Sequence, residues 1–288
     1  MPSTRELRRR IRSVKNISKV TNAMQFIAAS KMRRAQLAAS EGRAYAEKIE
    51  DVLADLVRGL DPEDLPPEAA LLAGRPVRKT LLVLITPDRG LCGGLVSNIL
   101  RAAGRAIQES QSPVATVSVG RKGETFIVRT GGELKAAFRI SDRPQFAETT
   151  PITRLIVDEF RAQGADRVLI AYSNFVNTAV QRPVVRQLLP VQQADLQDIT
   201  PAEYIYEPGP GAVLERLVPR YLETEVYHAV LEAVASEHSA RMVAMQKATD
   251  AADEFVVDLT LDLNKARQEQ ITSELLDIVG GVNAVQQG

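Results

Sequence analysis

Cysteine is almost missing from this sequence: Cys92 is the single thiol in 288 residues. One cysteine excludes an intramolecular disulfide, and with it a stapled secreted scaffold and a dithiol switch within the chain. A reducing compartment is the expectation. Tryptophan is absent and aromatic residues make up only 5%, which is low for a compact enzyme and ordinary for long helices. Charge of one sign is not in excess either, because 36 Lys and Arg balance 36 Asp and Glu. Bulk charge therefore argues for neither nucleic acid nor an anionic surface, and only charge placement can. Long hydrophobic runs are lacking: none exceeds the five residues of LLVLI at 81–85, far short of a membrane span, and no apolar stretch follows the basic N-terminus as an export signal requires. Proline is missing from Thr4 to Gly59, where Gly42 is the sole interior glycine. One helix of about 80 Å fits that stretch.

What is present is enough for a core, since 45% of the residues are hydrophobic, in one large domain or two modest ones. Along the first helix, Leu7, Ile11, Val14, Ile17, Thr21, Met24, Ala28, Met32, Ala35, Ala39, Gly42, Ala46, Ile49, Leu53 and Leu56 recur in three-and-four steps, the seam of a left-handed coiled coil. Its middle, Ala28 to Ala46, is small enough for a partner helix to come close. Ser3 or Thr4 with Glu6 supplies the start. We place this N-terminal helix at 1–59 and a proline- and acid-rich linker at 60–78.

From 79 to 200 the period alternates. KTLLVLIT (79–86) reads as a buried strand, GLVSNILRAAGRAIQES as a helix, PVATVSV and ELKAAFRI as strands, PITRLIVDEFRAQG as a helix, ADRVLIAYSNF as a strand and NTAVQRPVVRQLLP as its hairpin partner. The expectation is a Rossmann-like α/β domain with a mainly parallel sheet. A connecting segment at 201–211 leads to a second long helix at 212–288, interrupted only by Pro219. Its stripe includes Leu214, Tyr221, Ala229, Met245, Ala252, Phe255, Leu259 and Ile271. A compact domain joining the end of one rod to the start of the other makes them an antiparallel pair. The fold class expected is therefore α/β: a long antiparallel coiled coil of the N- and C-terminal helices plus the central domain. Pairing Leu56 with Val213 sets Thr4 opposite Lys265, so about twenty residues beyond it lack an intramolecular partner, and their apolar face points to another protein.

Motifs that carry chemistry are weak. TPDRGLCGGLVSN (86–98) is a glycine-rich turn where phosphate sites form, but it contains neither G-x-G-x-x-G nor G-x-x-x-x-G-K-[ST], and a structural turn is the preferred reading. Cys92 has no His within that motif, which favours a buried or half-buried bystander over a nucleophile. His228 and His238 are spaced wrongly for one metal on one helix and read as surface or seam residues; no metal site and no cofactor are expected. RELRRRIRSVKNISK (5–19) is basic, yet an apolar stripe runs through it without aromatics, so a solvated or acid-facing side of the rod is preferred to nucleic acid. Two rivals stay open on these grounds: a coiled-coil adaptor using the basic run for nucleic acid or acidic lipid, and an enzyme with a Rossmann-like centre. Neither accounts for an uncovered helical tip.

The chain resembles one family over essentially its full length: the gamma subunit, or central rotor shaft, of the bacterial type of F-type ATP synthase. IRSVKNISKVTNAMQFIAASKMRRAQ looks like that family's first long helix and DRGLCGG like a turn of its α/β domain, with Val96 standing where a polar residue is usual. YIYEP, SEHSARMVAMQKATDAA and NKARQEQITSELLDIVGG match the C-terminal rod in order, the last containing I-T-x-E-x-x-[DE]. The resemblance implies a rotor without an active site, coupling rotation of the membrane c ring to ATP synthesis or hydrolysis in a ring of alternating alpha and beta subunits. It implies beta-subunit contacts at Met24, Arg241, Arg267, Gln268 and Thr272, an apolar bearing tip at Ile271, Leu275, Ile278 and Val279, and a foot toward the epsilon subunit and c ring at Tyr206 and Glu207. It implies contact with the membrane only through protein partners, as a peripheral subunit at the cytoplasmic face of the bacterial cell membrane.

Overall fold

The computed structural model describes residues 3–58, 71–72, 74–191, 206–207 and 209–286. It divides into two compact units, one formed by Met1–Ile27 with Met242–Gly288 and the other by Ala28–Arg241. Helix α1 (Thr4–Arg58) and helix α5 (Pro210–Gln286) each run through both units.

In the larger unit, strands β1 (Thr80–Ile85), β2 (Val114–Val119), β3 (Glu133–Phe138), β4 (Arg167–Phe175) and β5 (Gln181–Leu189) form one sheet in the order β3-β2-β1-β4-β5. β1 to β4 are parallel and β5 is antiparallel to β4, the mainly parallel sheet and hairpin expected. Every residue of central β1 is buried, which is why that strand is an unbroken apolar run: both faces of a parallel sheet are covered. Leu82 and Leu84 face α2 (Leu95–Glu109) and α3 (Arg121–Arg129) through Ile99, Ala103 and Ile127. Leu81, Val83 and Ile85 belong to the larger core with Ile152, Ile156 and Phe160 of α4 (Phe146–Arg161), Leu53 of α1 and Leu214, Leu222 and Val226 of α5. Pro183, which has no amide hydrogen for a ladder, lies on the edge strand β5. At the strand entrances, the Asp166 carboxylate accepts from the Arg78 and Lys79 amides at 2.9 and 3.0 Å and from Arg75 Nε at 2.5 Å.

Two features of the α/β domain differ from what its sequence predicts. α3 has no counterpart in it. Its short sequence holds a glycine, a poor helix former, but a Cβ at Gly123 would come within 2.9 Å of Ser118 Oγ and 3.0 Å of Thr86 Oγ1, so close packing on the sheet requires glycine there. α4 begins at Phe146, with Pro151 inside it rather than first. The Glu148 carboxylate accepts from the Gln145 amide and the Ser141 amide and hydroxyl, which fixes the start ahead of the proline.

The helix pairs are antiparallel within each unit. Ser3 Oγ accepts from the Glu6 amide and caps α1. In the smaller unit Ser18 meets Asp253 at 2.8 Å and Thr21 meets Thr249 at 2.7 Å. In the larger, Gly42 lies against the His228 ring and Tyr45 Oη accepts from Arg220 Nε. The first three pairings fall within two residues of the expected register, and the long Arg220 side chain reaches Tyr45 from four residues away. Of the expected seam, Ile17 is instead 52% exposed and Phe255 is likewise outside it; Ser18 takes the inward position, since Ile11, Val14, Ser18 and Thr21 alternate steps of three and four, an alternation that Ile17 breaks.

Candidate functional site

The chain order of the sheet fixes where a ligand crevice would lie. From β1 the chain winds outward through β2 to β3, then crosses to β4 on the other side of β1, so the carboxyl ends of β1 and β4 flank a topological switch point. The loop leaving β1 there is Thr86 to Gly94, containing the DRGLCGG motif. Leu91 and Gly93 have φ of 62° and 58°, and Cys92 is buried with its thiol pushed up by burial, which outweighs the opposing charge of Arg241. Asp88 Oδ1 accepts from the Arg121 amide at 2.7 Å, so the carboxylate of the loop itself occupies the N-terminus of α3, where a phosphate would otherwise find donors. Gly120, with φ of 98°, leaves the backbone of Thr86 room that a Cβ would fill, at 1.9 Å from Thr86 O.

The crevice is lined by α5. Ser236 Oγ donates to Ser173 O at the end of β4, and Ser239 Oγ donates to Thr178 O in the β4–β5 turn, each at 2.8 Å. Gln181 Nε2 donates to Ser239 Oγ at 3.3 Å. Arg241 donates to Gly90 O at 3.2 Å and pairs with Glu237 at 2.7 Å. His238, only 2% exposed, has its pKa lowered to about 4, first by burial and then by the charge of Arg241. It is neutral at pH 7, and its Nδ1 lies 3.3 Å from the Arg241 guanidinium. Beside this group Lys31 of α1 pairs with Asp142. The position that Rossmann-type enzymes give to a nucleotide is thus held by the protein's own serines and arginine. Of the two histidines, His228 is the seam residue expected, whereas His238 is a buried partner of Arg241.

The residues singled out in the sequence fall into separate groups. Arg241 is in the larger unit, its side chain 11% exposed and spent on Glu237 and Gly90. Met24 is half-buried on α1 of the smaller unit, and Arg267, Gln268 and Thr272 are exposed on α5. From Arg267 to Val279 every side chain of α5 is exposed, including Ile271, Leu275, Ile278 and Val279. Leu276, at 66%, is the most exposed apolar side chain of this stretch and escaped the sequence reading, although adjacent Leu275 and Leu276 cannot share one narrow helical stripe. Ile17, Val20, Phe26 and Ile27 are bare on α1 in the same unit. Tyr206 Oη donates to Asp55 at 2.8 Å, tying its segment to α1, and Glu207 is exposed. Tyr204, Ile205 and Pro208 of the YIYEP segment lie outside the described residues. The arginines of the N-terminal basic run, Arg5, Arg8, Arg9, Arg10 and Arg12, are solvated, Arg10 pairing with Glu6. Among the described residues no helix is long and apolar enough to cross a membrane.

The family model described as ATP synthase matches residues 3–285. The chain belongs to the ATP synthase gamma-chain family. It is 52% identical over 287 residues to the ATP synthase gamma chain of Dehalococcoides mccartyi strain CBDB1, covering 99% of this chain and 100% of that one. The ATP synthase gamma chain of Chloroflexus aurantiacus strain J-10-fl is 46% identical, with 99% of both chains covered. Among solved structures, a chain from the central stalk and c ring of the Tetrahymena thermophila mitochondrial ATP synthase superposes with a TM-score of 0.62 at 27% identity, over 80% of this chain and 99% of that one. A chain of the Euglena gracilis mitochondrial ATP synthase shares the fold, with a TM-score of 0.68 at 21% identity over 99% and 95%. As a gamma chain it is a non-catalytic subunit of a rotary ATP synthase, its central-stalk rotor.

Proposed function

We propose that the paired helices of this gamma chain turn inside a ring of alternating alpha and beta subunits while its α/β domain rests on the epsilon subunit and the c ring. The observation that carries the reading is the row of bare side chains from Arg267 to Val279 on α5. Ile271, Leu275, Ile278 and Val279 form the bearing tip, an apolar face of the kind that marks a protein interface. Met24, Arg267, Gln268 and Thr272 meet the beta subunits, the arginine forking onto carboxylates. A shaft that turns cannot be locked by deep anchors, so a smooth apolar surface with a few exchangeable polar contacts suits it. Tyr206 and Glu207 belong to the foot. The organisation is a shaft helix at 1–59, a linker at 60–78, the α/β domain at 79–200, a connector at 201–211 and the second shaft helix at 212–288. The complex holds the subunit at the cytoplasmic face of the bacterial cell membrane, with no insertion of its own.

The shaft makes and breaks no bonds. As it turns, its unequal faces favour different conformations of each beta subunit in sequence, and only that difference in contact energy can shift the nucleotide sites between open and closed. Proton-driven rotation is thereby coupled to synthesis of ATP, and hydrolysis drives it backwards. Mixing the chain with purified alpha and beta subunits tests this: the full-length chain yields a complex with a single copy that hydrolyses ATP, and truncation after Lys265 lowers assembly or turnover. Absence of a complex, with no gain over alpha and beta together, overturns it.

A further inference from the structure

We propose that Ser236, Ser239 and Arg241 form a clasp through which α5 and the α/β domain exchange torque, the switch-point crevice serving as a mechanical socket; this rests on the rotor reading. The run Ser236–Glu237–His238–Ser239 is an improbable one for a buried helix face, because an unpartnered polar group there is costly. Both serines are 0% exposed, and a serine in mid-helix normally turns its hydroxyl back to its own helix. Neither does so here. Ser236 reaches Ser173 O, and Ser239 reaches Thr178 O while accepting from Gln181. Arg241 reaches Gly90 O in a different loop, and Glu237 and His238 hold its guanidinium from the preceding turn.

The geometry suits a load. Apolar side chains packed between a helix and a sheet resist separation, but their contacts are non-directional, and they oppose rotation of the helix about its axis only weakly. Hydrogen bonds are directional. Here they run from adjacent turns of α5 to both sides of the switch point, the β1 loop on one and the end of β4 with the β4–β5 turn on the other, so neither sliding nor rotation of the helix leaves them intact. A second tie, Arg186 of β5 with Glu225 of α5 at 2.5 Å, holds the same helix about three to four turns earlier. The three groups are positioning residues: they act by keeping α5 in register with the domain. Arg241 is also the last residue of the larger unit, after which α5 continues into the smaller one.

The test uses the whole synthase in closed vesicles, with Ser236→Ala/Ser239→Ala. Three quantities are read: ATP hydrolysis, ATP-driven proton uptake against a rising opposing gradient, and amide exchange of residues 86–92 and 176–180 in the full chain. Loss of the three hydrogen bonds made by the two hydroxyls opens the clasp at least roughly tenfold more often, so exchange in both loops quickens by about that factor. Hydrolysis persists, and the ratio of uptake to hydrolysis falls further as the opposing gradient grows. This load dependence is what a merely structural defect does not produce; such a defect lowers hydrolysis and uptake together, and that outcome overturns the proposal. So does a faster exchange with an unchanged ratio under load. If the double variant fails to assemble, Ser239→Ala alone is compared with the parent by the same readings. A parent chain that supports neither hydrolysis nor uptake overturns the rotor reading and the torque role with it, whereas variants that couple as well as a coupling parent overturn the clasp alone.

Discussion

α5 is one helix put to two uses. Between Leu214 and Ser239 its inner face is sunk in the larger unit, with Leu222, Val226 and Ala235 among the buried residues and two serines bonded to the sheet. Between Arg267 and Val279 the same helix covers none of its side chains. Helical propensity does not explain the burial of the first stretch, which holds Pro219 and is if anything the poorer helix former. The difference lies in what each face has to touch. Stability should therefore reside in the first stretch and its sheet, and interaction in the second, and substitutions that change one property without the other measure how cleanly the division holds.

The largest effect is expected at Leu84. It is fully buried in the central strand against α2 and α3, so Leu84→Ala should cost about 2–5 kcal/mol, the transfer term plus a cavity. Chemical denaturation of the isolated chain gives the value. A cost below about 1 kcal/mol would mean that the sheet is not where the chain is held together.

Next comes His238. Its folded pKa of about 4 lies below the ordinary 6.5, so between those values the unfolded chain binds a proton that the folded chain does not. Stability must fall as pH falls from about 6.5 to 4, by up to about 3 kcal/mol, and flatten below. Asp142, Lys31, Arg241 and Glu237 are the charged groups around it, and only the two carboxylates titrate in acid. His238→Gln should remove the histidine's share of that slope, leaving the opposite contribution of Glu237, whose pKa burial raises; a variant whose acid slope equals that of the parent would show the histidine to be wet and ordinary.

These residues also show how far the sequence was readable. α1 was legible because absence of proline and a regular seam are local properties, and β1 because a strand buried on both faces must be apolar throughout. The bare tip was legible by counting: one rod is longer than the other. The α5 contacts were not. Ser-Glu-His-Ser reads as a solvated face until the β4 end and the β1 loop, both far away in sequence, are brought to it. α3 was hidden for a related reason, because Gly123 lowers helix propensity while serving a contact with Thr86 and Ser118. Pro151 misled through the usual preference of proline for the first turn, which the Glu148 cap overrode.

A smaller effect is expected at Ala35, buried in the small-residue part of the α1 seam. Ala35→Gly should cost roughly 1 kcal/mol in helix propensity and soften the pair that carries torque. Lower thermal stability with a lower ratio of proton uptake to hydrolysis is the expected result; full stability and full coupling would show that stiffness at this level is not used.

The smallest change in stability belongs to the tip. Leu276 touches little in the folded chain, so Leu276→Ala should lie within about 0.5 kcal/mol of the parent in denaturation of the isolated protein. Its consequence appears only when a partner is present. A leucine that enters an apolar bearing loses on the order of 2 kcal/mol of transfer energy when cut to alanine, and assembly with alpha and beta subunits should then need a higher concentration of the chain. The pair Leu84→Ala and Leu276→Ala therefore crosses over: the first lowers stability of the isolated chain, the second leaves it untouched and weakens the complex. If Leu276→Ala assembled as well as the parent, the bare face would be exposed in the assembly too, and the bearing would rest on Ile271, Leu275, Ile278 and Val279 alone.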